Sequence, residues 1–67
     1  MMRIWQKLEQ LDGDQITRAD VAAALSVSVG TVRNMEARGE ILAAMKVGGR
    51  YRWQKDDIVE WAKSLER

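Results

Sequence analysis

Apolar positions recur at helical spacing over residues 2–11, where Ile4, Trp5, Leu8 and Leu11 share one side and Lys7, Glu9 and Gln10 fall elsewhere. Asp12-Gly13-Asp14 breaks this pattern: Gly13 suits the position just past a helix end, and the aspartates suit a turn. Thr17-Arg18-Ala19-Asp20 reads as the start of a second helix. Thr17 can cap it, and Asp20 at the third helical position completes a capping box with Asp in place of the usual Glu or Gln. That helix, 18–25, turns Val21, Ala22 and Leu25 inward. Ser26-Val27-Ser28 interrupts it after two turns, and Ser28 supplies a second N-cap. The next helix runs over 29–38, with Gly39 placed to terminate it. Val32 and Met35 face inward on this helix, while Gly30, Arg33, Asn34 and Ala37 lie along its other side.

Two short helices joined by a three-residue turn, the second with an Arg-Asn face, fit a helix-turn-helix. Beyond it, Ile41–Val47 is a short apolar stretch and Arg50-Tyr51-Arg52-Trp53 alternates with period two. Gly48-Gly49 between them is a two-residue hairpin signal, because glycine reaches the positive φ that such turns require. Alternation puts Tyr51 and Trp53 on one face and Arg50 and Arg52 on the other, with Trp53 the better core candidate. A last helix begins near Lys55. Asp56 and Asp57 in its first turn complement the helix dipole, and Ile58, Trp61, Ala62 and Leu65 form its apolar stripe. The expected fold is mainly α with a small β-hairpin: an N-terminal helix, a helix-turn-helix, a two-stranded wing and a C-terminal helix.

Composition narrows the chemistry. A 67-residue chain buries only about 60% of its unfolded surface, so one domain is expected over 1–67. There is no cysteine and no histidine, which excludes disulfides and thiolate or imidazole metal sites, zinc among them. A general base poised near neutrality would have to be a strongly shifted carboxylate or lysine. No glycine-rich phosphate cradle is present, since Gly48-Gly49 is a lone pair. The reading is therefore a binding protein rather than an enzyme, without cofactor or metal. No apolar run approaches the roughly 20 residues of a membrane span, and a cytoplasmic protein is expected.

The formal charge of +1 is unevenly spread. Residues 1–32 sum to −1 and residues 56–67 to −2. Residues 33–55 carry Arg33, Arg38, Lys46, Arg50, Arg52 and Lys55 against Glu36 and Glu40, leaving +4. Such segregation is the trace of a charged face that suits a polyanion.

The stretches VAAALSVSVGTVRNMEARGEIL (21–42), VGGRYRW (47–53) and DDIVEW (56–61) together resemble the small winged helix-turn-helix domain of phage excisionases. AlpA-like regulators and the DNA-binding part of MerR-type regulators share the pattern. The likeness covers residues 16–65 and leaves 1–12 as an N-terminal helical extension. Three departures stand out. Ser26 occupies a turn position that is usually glycine, and Val29 and Gly30 stand where the family often has polar or basic residues. Glu36 replaces the apolar residue common in excisionase-like members, although MerR-type sequences often have Glu there.

The resemblance implies a protein of the bacterial cell that binds double-stranded DNA, with helix 29–38 in the major groove and the wing, 46–52, on the minor groove or phosphates. Arg33 suits guanine O6 and N7, and Asn34 suits adenine N6 and N7. Ser28 and Thr31 lie near the helix N-terminus, where hydroxyls and N–H groups suit a phosphate. Gly30 allows close backbone approach, or is simply a poor helix former on an exposed face. Arg38 is placed to reach the DNA backbone or to pair with Glu36 or Glu40. Gly49 and Arg50 form the wing tip, with Lys46 and Arg52 supporting it electrostatically. Arg18 is placed to touch a phosphate or to remain a solvated surface arginine.

A module of this size covers only about 600–1,000 Å² on DNA, which favours neighbouring copies. Ile4, Trp5 and Leu8 are the candidate self-association residues; the competing reading packs Trp5 on the last helix of its own chain. Excisionase activity would imply an integrase partner, and transcriptional regulation would use the same contacts. Two other readings remain: the DNA-recognition domain of a phage small terminase subunit, and an interaction module or inhibitor that binds protein rather than DNA.

Overall fold

The computed structural model describes residues 3–65. In chain order its elements are α1 (Ile4–Glu9), β1 (Gln15–Thr17), α2 (Arg18–Leu25), α3 (Val29–Ala37), β2 (Met45–Val47), β3 (Arg50–Gln54) and α4 (Lys55–Ser64). α2 and α3 form the helix-turn-helix, and β2 and β3 form the wing. The three strands make one antiparallel sheet in the order β1-β3-β2. β1 is an addition to the expected two-stranded wing. It has too few residues to show a period of its own and exists through its pairing with β3, in which Ile16 lies opposite Trp53.

That pair sits at the centre of the core. Trp53 is 1% exposed, and Leu8, Ile16, Val21, Val32 and Ile58 are fully buried around it. α1 packs chiefly on α4, and α2 touches α1, β1 and α3. Three neighbours widen the buried face of α2, so Ala24 is buried while Leu25 is only half-buried. Val59 of α4 is likewise buried, whereas Leu65 lies past the helix end and is 53% exposed rather than part of the stripe.

The caps follow the local sequence. Thr17 Oγ1 accepts from the Asp20 N–H, and the Asp20 carboxylate accepts from the Thr17 N–H, closing the expected box. Ser28 Oγ accepts from the Thr31 N–H at the start of α3. α3 ends in a Schellman arrangement, with Gly39 N–H bonded to the Glu36 carbonyl and Glu40 N–H to that of Met35. Gly39 takes the left-handed conformation this requires, with φ of 73°. α2 ends the same way around Ser26, whose φ of 59° makes it the only non-glycine in this conformation among the described residues.

Two expected spans are shorter than the sequence pattern suggested. α1 stops at Glu9, because the Leu11 N–H bonds to the Leu8 carbonyl in a tighter turn; Met2 lies outside the described residues. Only Met45–Val47 of the 41–47 stretch is strand. Side chains take the backbone acceptors before it instead: the Trp53 indole donates to the Leu42 carbonyl and the Trp61 indole to that of Glu40.

Candidate nucleic-acid interface

α3 presents a polar face opposite its buried Val32. Gly30, Arg33, Asn34 and Ala37 are all exposed along it, as expected from their three- and four-residue spacing. At its N-terminus Ser28 is exposed and Thr31 half-buried, and their hydroxyls lie 3.0 Å apart. Gly30 is in ordinary helical backbone, and an added Cβ would meet only Ser28 Oγ at 3.8 Å. Nothing inside the protein therefore calls for glycine there.

The wing turns tightly at Gly48 and Gly49, with φ of 56° and 84°. This conformation matches the twist of a two-residue hairpin and is strained for other residues. Strand register pairs Val47 with Arg50, Lys46 with Tyr51 and Met45 with Arg52. Residues opposite each other share a face, so Lys46 lies with Tyr51 and Trp53, while Arg50 and Arg52 lie on the other face. Cations thus occupy both sides of the wing.

Two predicted site residues are bound within the protein. Arg18, the first residue of α2, forms a two-pronged ion pair with Glu36 of α3: Nε to Oε1 at 2.6 Å and Nη2 to Oε2 at 3.0 Å. Its guanidinium also lies over the Tyr51 ring of β3, 4.8 Å from the centroid. The hydrogen bonds to Glu36 push its pKa up; burial opposes this and the Glu36 charge adds to it. The expectation of a phosphate contact or a solvated arginine missed this pairing, because eighteen residues separate the partners and no local period links them. Arg38 pairs with Glu40 on an exposed stretch, one of the alternatives open from sequence.

These pairings sharpen the charge map. Both carboxylates of the basic segment are neutralised, Glu36 by Arg18 and Glu40 by Arg38. Lys55 turns to the loop after α1, donating from Nζ to the Leu11 carbonyl. Among the described residues no ion pair engages Arg33, Lys46, Arg50 or Arg52. The uncommitted positive charge of residues 33–55 therefore lies on the outer face of α3 and on the wing.

The N-terminal helix serves the core. Leu8 is fully buried and Ile4 and Trp5 are half-buried against it, so Leu8 is unavailable for the self-association considered from sequence. Trp5 lies beneath Lys63 of α4, with Nζ 5.0 Å from its ring centroid, in keeping with the intrachain alternative.

A helix-turn-helix followed by a hairpin wing and a closing helix defines the winged helix-turn-helix class. The chain belongs to the helix-turn-helix domain family, whose model matches residues 16–66. No curated protein and no solved structure gives a match. Family membership supports DNA as the partner, and none of the described helices is long and apolar enough to cross a membrane.

Proposed function

We propose that this protein binds double-stranded DNA sequence-specifically and acts as an excisionase or transcriptional regulator of phage or mobile-element type. The carrying observation is the grouping of uncommitted cations on α3 and the wing, with neighbouring carboxylates paired off. α3 enters the major groove, where Arg33 and Asn34 read base edges. Ser28 and Thr31 meet a phosphate at its N-terminus, and Gly30 lets the backbone approach. The wing tip, Gly49 and Arg50, enters the adjacent minor groove. With Lys46 on one face and Arg52 on the other, the wing can contact phosphates on both sides of that groove.

Affinity then comes mainly from phosphate neutralisation and counterion release, and specificity from Arg33 and Asn34. One domain over 1–67 is sufficient for these contacts, and neighbouring copies on DNA would raise occupancy. The test is selection of preferred duplexes from a random pool, followed by hydroxyl-radical footprinting on the selected sequence. Protection of a major-groove segment and a flanking minor-groove segment is expected. Absence of protection at low salt would remove DNA as the partner.

A further inference from the structure

We infer that Arg18 is a positioning residue for DNA recognition: by holding Glu36 it keeps that carboxylate off Arg33, leaving Arg33 free to read a base. The inference rests on the reading that α3 recognises DNA. Glu36 follows Arg33 by three residues on α3, a spacing at which side chains are neighbours on the helix surface. An unheld carboxylate there would attract the guanidinium of Arg33 and bring negative charge towards the phosphates.

The structure shows how this is avoided. Arg18 engages both Glu36 oxygens from a different helix, a fork geometry that only arginine supplies. Arg18 is itself fixed from two directions. Its backbone is the first residue of α2, inside the Thr17–Asp20 capping box, and its guanidinium lies over the Tyr51 ring. The side chains of Arg18 and Glu36 are 22% and 16% exposed, against 61% and 51% for the Arg38–Glu40 pair. The inner pair is thus shielded from the water and salt that weaken exposed pairs. Through Tyr51 the same guanidinium joins α3 to the wing.

The experiment compares binding to the preferred duplex and to a duplex altered at the base pair whose recognition Arg33→Ala abolishes. Wild type, Arg18→Ala, Glu36→Gln and the double variant Arg18→Ala/Glu36→Gln are measured, with folding checked by denaturation. Arg18→Ala should lose most of the discrimination between the duplexes, which for one bidentate base contact is roughly 5- to 150-fold. Glu36→Gln alone should retain it, and the double variant should regain it, since the competing charge is gone. A double variant no better than Arg18→Ala overturns the inference, as does an Arg18→Ala protein that discriminates like wild type. If Arg18→Ala does not fold, Arg18→Met, which keeps an apolar stem without the charge, decides by the same criterion with and without Glu36→Gln. If Arg33→Ala leaves discrimination unchanged at every base pair of the preferred duplex, the reading of α3 itself is overturned, and the inference with it.

Discussion

The indole N–H of Trp53 donates to the main-chain carbonyl of Leu42 at 2.8 Å, tying the core of the wing to the segment that leads out of α3. The Trp61 indole holds the Glu40 carbonyl of the same segment at 3.2 Å, at a more exposed position. Trp53→Phe leaves a part-buried carbonyl unpaired, at about 1–3 kcal/mol, and adds the cost of the space the larger buried indole filled. A chain of this length has roughly 3–10 kcal/mol of stability in total. Urea denaturation should therefore show Trp53→Phe folded but clearly weakened, and Trp61→Phe less affected. Equal losses would mean that burial does not set the worth of these indoles, bond and packing together.

Ser26 carries a different kind of cost. Its φ of 59° places Cβ close to the following carbonyl, worth about 1–2 kcal/mol for a residue other than glycine. Ser26→Gly relieves that strain and gives back part of it through the freer unfolded chain. A net gain of about 0.5–1 kcal/mol is expected, seen as a higher denaturation midpoint. DNA affinity should not change, because Ser26 lies in the turn rather than on the outer face of α3 or the wing. A lower midpoint would show that the serine stabilises the turn.

Where an element is fixed by its own residues, the sequence shows it. The Thr17 and Ser28 caps, the Gly39 stop and the Gly48-Gly49 turn all depend on contacts a few residues apart, and the structure has them in place. Trp53 was likewise readable as core from its period-two position. Strand β1 was not, because three residues carry no period and pair only once β3 is beside them. The same limit hid the Arg18–Glu36–Tyr51 contact, which joins three elements. The exposed face of α3 was legible from helical spacing. Which cations of the basic segment are already committed depended on the tertiary structure.

Arg33 and Asn34 are exposed side by side on α3 and should act on different base pairs. Arg33→Ala should weaken the preferred duplex by roughly 1–3 kcal/mol and relax preference at a single position. Asn34→Ala should relax a neighbouring position, as expected of an amide that pairs with adenine. Competition binding against duplexes altered one base pair at a time distinguishes the two. Uniform weakening on every duplex would reassign the altered residue to phosphate contact.

Arg50 tests the wing. It stands directly after the Gly48-Gly49 turn, exposed and opposite Val47, with no ion pair among the described residues. Each phosphate neutralised by such a side chain releases condensed counterions, so binding falls linearly on a log–log plot against salt, with a slope set by the number of contacts. Arg50→Ala should lower affinity at low salt and reduce that slope by about one unit. Base preference set by Arg33 and Asn34 should persist, because α3 is untouched. The measurement is a fluorescence-anisotropy titration at several salt concentrations on one selected duplex. A slope equal to that of wild type would take the wing tip off the DNA and leave α3 as the sole point of contact tested by these variants.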